Sequence, residues 1–420
     1  MRSEATIQDA DGRDATWWDA PLESGGKAGF GLYLHIPFCA HRCGYCDFAT
    51  WATDAPGPEG GTVADVMSRY VPALIGDLGR QVARGPAGHA PPGTLDPGTT
   101  WPSLTSIFIG GGTPTLLPAS DLVALLAAVR RELDVEPDAE VTVECNPENA
   151  SVELFGALAD AGVTRVSMGV QSFVPEVLRT LERDHDPRLA LDAVTMARTA
   201  GIPDVSLDLI YGTPGETDDD WAETLRTAVA AGTDHLSAYA LTVHDGTSFG
   251  ARVHAGTMLS PDDDVQRDRF DVARDILGGV GFEQYELSNW ARGAARRSAH
   301  NSLYWRHGDY LAAGVGGHAH VGGRRSWQHR SLARWLAAAE GGQDATAGDE
   351  VTTMDERSTE RLLLGLRLAE GLHPNDVPPI EPWALEDALN AGLVTTACGR
   401  LQCTADGWFL LDEAVQRLGA

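Results

Sequence analysis

Six short apolar runs mark the first 243 residues: GFGLYLHI (29–36), SIFIGG (106–111), EVTVEC (140–145), RVSMGV (165–170), VSLDLIYG (205–212) and HLSAYALTV (235–243). Each has strand length and is bounded by glycine, proline or polar residues, as buried strands are. Between them, apolar positions recur at helical spacing over 63–83 and near 120–133, 151–161, 174–200 and 217–231. Strands alternating with helices predict parallel strands joined by crossover helices. Six such units fall short of the eight that close a TIM barrel. The expected fold is therefore α/β, an open or partial (β/α)6 barrel over 29–245.

The flanks read differently. Residues 1–28 predict an irregular leader, and 85–102 (GPAGHAPPGTLDPGTTWP) a proline- and glycine-rich loop. An extension of the barrel is expected over 246–340, followed by a polar linker over 340–352. From Met354 a helix carrying RLLLGLRLAEGL (361–372) is expected, then a second near 382–391, then LQCTADGWFLLDEAVQRL (401–418). Helix, helix, short strands and helix over 353–420 suggest a smaller, mainly helical, winged-helix-like domain.

Charge narrows the function. The 420-residue chain carries 60 acidic against 32 basic residues, a formal charge of −28. Gripping nucleic acid needs basic surface, so a nucleic-acid partner is not expected. No apolar run reaches the ~18 residues of a membrane span. The leader is polar and acidic, without an apolar signal core, so a reducing cytoplasm is expected.

Three of the six cysteines fall in YLHIPFCAHRCGYCDF (33–48), at Cys39, Cys43 and Cys46, on the loop leaving the first strand. Thiolates spaced C-x3-C-x2-C can hold three corners of a cubane iron–sulfur cluster and leave the fourth iron open. The same trio with His35 or His41 could instead close a tetrahedral zinc site. A disulfide framework fits a chain of this length and compartment poorly. Cys145, Cys398 and Cys403 show no ligand spacing and are expected to be buried thiols.

In parallel α/β folds ligands sit at the C-terminal ends of strands. Those ends carry Gly110-Gly111-Gly112-Thr113, Glu144, Gln171 and, within the fifth strand, Asp208. A glycine turn lets backbone amides approach a carboxylate, and the two acids can meet an amine or ribose hydroxyls.

The cysteine stretch, including Tyr45 before the last cysteine, resembles the radical S-adenosylmethionine (SAM) superfamily. There, three such cysteines bind a [4Fe–4S] cluster, and the amine and carboxylate of SAM chelate the free iron. IGGGTPT (109–115), VECNPE (143–148), SMGVQSF (167–173), ERDHD (182–186) and DLIYGTPGET (208–217) look like the oxygen-independent coproporphyrinogen III oxidase family. The resemblance implies that Tyr33, Gly111 and Glu144 hold the cluster-bound SAM. It places Gly112, Thr113, Gln171, Arg183 and Asp208 at positions that hold a second SAM in the oxidase. It also implies a partial (β/α)6 barrel with a helical C-terminal domain.

Two features separate this chain from the oxidase. The oxidase has a further cysteine two residues after the third, where this chain has Phe48. His300-Asn301-Ser302-Leu303-Tyr304-Trp305 matches the H-N-x-x-Y-W motif of a related group, the HemW-type heme chaperones. That resemblance implies heme binding, with His300 the candidate residue, and delivery to a recipient protein. An electron donor for the cluster follows from the same likeness, and a homodimer is compatible with it. Oxidase activity is the alternative; a radical enzyme modifying RNA or protein is disfavoured by the charge. Between Ala291 and Ala339 lie eight arginines against one acid, five of the 13 histidines, and Trp305, Trp327 and Trp335. Arginine, aromatic and histidine side chains answer the propionates, face and iron of a tetrapyrrole. Packing of this basic segment against the acidic barrel would leave the same pattern. A histidine of GVGGHAH (314–320) is a further candidate to face SAM at the end of the barrel.

Overall fold

The computed structural model describes residues 29–58, 60–183, 186–373, 376 and 380–419, so the expected leader lies outside the described residues. The six runs form parallel strands: β1 (Phe30–Ile36), β2 (Leu104–Gly111), β3 (Val135–Cys145), β4 (Arg165–Gln171), β5 (Asp204–Tyr211) and β6 (His235–Ala240). Crossover helices α1 (Ala64–Ala83), α2 (Ala119–Glu132), α3 (Val152–Asp160), α4 (Pro187–Thr199) and α5 (Asp218–Ala230) connect them, and α6 (Asp263–Gly279) packs beside α5. The region read as one helix over 174–200 is split: Pro175–Thr180 forms a separate short helix, and Pro187 starts α4 behind an Asp186 cap.

Side-chain alternation sets the two faces of the strands. Ile107, Ile109, Val141, Val143, Val166, Met168, Leu207 and Leu209 are buried in the main hydrophobic core, and the residues between them are mostly polar and face the barrel interior. The partial barrel is thus apolar outside its sheet and polar within it.

The extension supplies what the strand count missed. After β7 (Glu283–Glu286), β8 (Asn289–Ala291) and helix α7 (Ala299–Trp305), strand β9 (Asp309–Ala313) returns to lie parallel to β1, pairing Phe30 with Asp309 and Leu34 with Ala313. Beyond it, β10 (His318–Val321), β11 (Arg324–Gln328) and, after helix α8 (Leu332–Glu340), β12 (Thr346–Val351) add antiparallel strands. The resulting order is β12-β11-β10-β9-β1-β2-β3-β4-β5-β6-β8-β7. The stretch read as a polar linker is therefore partly an edge strand. It is polar because one side faces solvent and because Asp349 and Glu350 each pair with an arginine of β11, Arg324 and Arg325, at 2.8 Å.

The C-terminal region builds its own cluster around Leu362, Leu366, Leu401, Leu411 and Val415, from helices α9 (Met354–Gly365), α10 (Pro382–Asn390) and α11 (Leu411–Arg417). The expected helix over 361–372 stops at Gly365, and Leu372 turns back to bridge Leu401. Residues 401–403 belong to a hairpin of β13 (Val394–Ala397) and β14 (Arg400–Cys403), a helix–hairpin–helix order of winged-helix type. Cys398, expected to be buried, is exposed in that hairpin's turn, whereas Cys145 is buried.

One tyrosine ties these parts together beneath the cysteine loop. Tyr70 of α1 is fully buried, its ring edge-on to Phe38 at 5.1 Å and 4.7 Å from Trp335 of α8. Its hydroxyl donates to the His35 carbonyl at 2.8 Å and accepts from the Val315 amide at 3.2 Å. Tyr70→Phe leaves both backbone groups without that partner, and is expected to cost about 1–3 kcal/mol. Urea unfolding should show a lower midpoint with an unchanged m-value.

Candidate functional site: the cysteine loop and the strand ends

The cysteine loop is fastened to the first two strands by backbone bonds. Gly112 N–H donates to the Ile36 carbonyl at 2.8 Å, and Thr113 N–H to that of Phe38 at 2.7 Å. A Cβ on Gly112 would stand 2.5 Å from the Phe38 oxygen and 3.0 Å from Cys39 Sγ, so only glycine lets the turn close on the loop. Gly111 has a left-handed φ of 114°, and a Cβ there would strike the His35 ring at 2.4 Å.

Cys39, Cys43 and Cys46 are free thiols, each partly exposed. Arg183 Nη1 approaches Cys43 Sγ at 3.7 Å and Thr50 Oγ1 lies 3.8 Å from Cys46 Sγ. Burial, then the neighbouring Cys46 thiol, push the Cys39 thiol up to about 11. Lowering it takes an electrophile bound at the sulfur, which is what an iron centre provides. Three unpaired sulfurs over a glycine turn with no Cβ between fit an iron–sulfur cluster. The zinc arrangement with His35 is not assembled: His35 Nδ1 bonds the Tyr33 hydroxyl at 2.9 Å and Nε2 the Ala49 carbonyl at 3.0 Å. Among the described residues, no three His, Cys, Asp or Glu side chains converge on one ion.

The glycine turn that ends β2 lies against the cysteine loop, and the other strand-end residues gather around it. Tyr33 faces inward, stacked on Phe108 at 6.1 Å. Glu144 accepts the Gly111 N–H at 2.8 Å; burial, reinforced by the nearby Asp208 carboxylate, pushes its pKa up to about 8. Asp208 accepts from Ser167 Oγ at 3.0 Å, and burial raises it to about 6. Gln171 ends β4 at φ 66°. Tyr45 packs edge-on against Phe249 at 6.0 Å. Arg183 donates to Asn146 Oδ1 at 3.0 Å and the Gly169 carbonyl at 2.9 Å, while Asn146 Nδ2 donates to Thr113 Oγ1 at 3.0 Å. Asn146 thus links the glycine turn to Arg183 and, through it, to Cys43. It lies in VECNPE, but an amide between a cysteine and a proline gave no sign of its own.

His300, the candidate heme residue, is placed apart from the cysteine loop. It lies near the N-terminal ends of β1 and β2, away from the cysteines, and is buried. Its Nδ1 bonds Ser106 Oγ at 2.9 Å, its Nε2 bonds the Tyr304 hydroxyl at 2.7 Å, and burial lowers its pKa to about 3. The other motif residues also fasten the helix: Tyr304 meets Tyr310 edge-on at 4.6 Å, and Arg367 lies over the Trp305 ring at 4.0 Å. Glu140 caps α7, accepting the amides of Ala299 and His300 at 3.0 Å each, and pairs with the buried Arg165 at 3.0 Å. Between α7 and the strand ends runs a polar cavity of about 150 Å³, reached by Asn301, Arg165, His235, Asp208 and Glu144.

Comparison with known proteins gives the family and the fold. Residues 99–228 match the model of the radical SAM superfamily. The heme chaperone HemW of Mycobacterium tuberculosis (strain H37Rv) is 40% identical over 404 residues, 95% of this chain and 98% of that protein. The chain belongs to the HemW family. The HemW of Bacillus subtilis is 30% identical over 91% of this chain and 97% of its own length. Membership in this radical SAM group implies SAM and a [4Fe–4S] cluster. Among solved structures, coproporphyrinogen III oxidase from Escherichia coli superposes with a TM-score of 0.73 at 21% identity, covering 93% of this chain and 90% of that one. That likeness establishes the shared fold. Among the described residues no helix is long and apolar enough to cross a membrane.

The Glu144 carboxyl makes stability depend on pH. Its pKa of about 8 in the folded chain exceeds the usual 4.5, so folded protein keeps a proton that unfolded chain has released. Its contribution is complete below about 4.5 and is lost as pH rises toward 8. In cluster-free protein, the urea midpoint should fall more steeply between pH 5 and 8 for wild type than for Glu144→Gln; equal slopes would refute this assignment.

Proposed function

We propose that this chain is a heme chaperone that carries a SAM-binding [4Fe–4S] cluster, accepts heme and passes it to a recipient protein. The carrying observation is the similarity to heme chaperones along nearly the whole of both chains. Phe48 in place of a fourth nearby cysteine and the H-N-x-x-Y-W motif at 300–305 support this reading over oxidase activity.

Cys39, Cys43 and Cys46 would hold three irons, leaving the fourth for SAM. When bound, such a cluster supplies an open coordination position and a single electron from a partner donor. This chain's own residues bind and orient. The carboxyl of Glu144, held by the Gly111 amide, lies beside Tyr33 and suits the ammonium of an amino acid. A cation there would draw the proton from the Glu144 carboxyl, because an adjacent positive charge favours the ionised form. Thr113, Gln171, Arg183 and Asp208 frame the second-SAM positions beside Gly112. Arg183 already bonds Asn146 and the Gly169 carbonyl, which supports a role in bracing the loop. We assign the protein to a reducing compartment, where the thiols stay available.

Anaerobically reconstituted protein should hold about four irons and four sulfides per chain, and serine at Cys39, Cys43 or Cys46 should abolish this. Heme added to the wild type should bind saturably with a shifted Soret band. Incubation with reductant, SAM and coproporphyrinogen III should yield no decarboxylated product at enzymatic rates. Product would assign the oxidase activity instead, and zinc without sulfide would remove the cluster.

A further inference from the structure

Resting on the cluster assignment made above, we propose that Arg183 tunes the iron–sulfur cluster. Its guanidinium, set against Cys43, raises the potential at which the cluster takes up an electron. This role is distinct from bracing the loop and from holding a second SAM.

The geometry starts from a helix end. The short helix Pro175–Thr180 closes in a Schellman turn: Glu182 has a left-handed φ of 57°, its amide donates to the Arg179 carbonyl at 3.2 Å, and the Arg183 amide donates to that of Leu178 at 2.9 Å. From that turn the Arg183 side chain reaches the cysteine loop, where Nη1 lies 3.7 Å from Cys43 Sγ. Nη2 donates to Asn146 Oδ1 at 3.0 Å and to the Gly169 carbonyl at 2.9 Å. The planar fork is held by one nitrogen and so aims the other.

The charge of that fork is left for the sulfur. Asn146 and Gly169 meet it with neutral oxygens, which orient the guanidinium without neutralising it. Glu182, the acid next to it in the chain, is engaged elsewhere, accepting from Arg252 Nη1 at 3.0 Å. Glu148 also attracts the guanidinium and offsets part of its field. Cys46 Sγ has different company, the neutral Thr50 hydroxyl at 3.8 Å, and Arg42 donates to the Cys46 carbonyl and not to its sulfur.

Reduction moves one electron from a one-electron donor to the cluster. No bond forms or breaks, and Arg183 keeps its proton. The added negative charge spreads onto the sulfurs, thiolates included, so a cationic N–H donor at one of them stabilises the reduced form more than the oxidised. Hydrogen bonds to the sulfurs and solvent exposure are among the levers that set such potentials. Arg183 is only partly exposed, so water screens its charge incompletely.

Reconstituted full-length protein, without added SAM, is titrated with dithionite and followed by electron paramagnetic resonance. Arg183→Gln should lower the midpoint by about 59 mV or more, about a tenfold loss in the equilibrium constant for one-electron reduction. Arg183→Lys, which keeps the positive charge, should stay closer to wild type than to Arg183→Gln, an order that a merely bracing arginine would not produce. Arg417→Gln, the same loss of charge in α11, should match wild type. Arg183→Met is a second neutral variant, in case Arg183→Gln does not load. Wild-type potential in the neutral variants, an equal shift in Arg417→Gln, a fall in Arg183→Lys as large as in Arg183→Gln, or loss of the cluster from both neutral variants would each overturn the tuning and leave the cluster assignment standing. Zinc without sulfide in wild type would overturn both.

Discussion

The site depends on how closely the glycine turn after β2 approaches the cysteine loop. With the Gly112 amide on the Ile36 carbonyl and a Cβ position only 2.5 Å from the Phe38 oxygen, no side chain fits between them. The three thiols and the strand-end donors are therefore set in one frame. From that contact the network runs outward, through Gly111 to Glu144 and through Thr113, Asn146 and Arg183 to Cys43. Tyr70 holds the same frame from below.

A polar barrel interior carries a cost that the extension offsets. Buried Arg165 needs its partner Glu140, and it also donates to the carbonyls of Arg296 and Arg297, at 3.0 and 3.2 Å. Removing one member of such a pair leaves a charge without compensation, typically a loss of about 3–5 kcal/mol. The pair fixes the approach to α7, and α7 then closes the interior with His300 on Ser106. Residues of the H-N-x-x-Y-W motif also join barrel and C-terminal region, with Trp305 under Arg367 as the outer contact.

The two ends of the barrel thus do different work. The N-terminal end is closed by packed aromatic and imidazole rings. The C-terminal end keeps sulfurs and carboxyls partly exposed.

Much was legible in the chain itself. The six parallel strands showed because each sends apolar residues into the core at alternate positions over a short run bounded by turn residues. The cysteine loop and the glycine turn showed because their chemistry depends on spacing between near neighbours. What stayed hidden involved partners far apart in sequence. Strand β9 beside β1 and edge strand β12 carry too little apolar signal to announce themselves. The environment of His300 depends on Ser106, 194 positions away. His300 and His318 look alike as letters in an arginine- and histidine-rich segment. Only folding buries one against hydroxyls and leaves the other exposed at a strand end, because burial and hydrogen-bond partners are properties of the assembled sheet and not of local sequence.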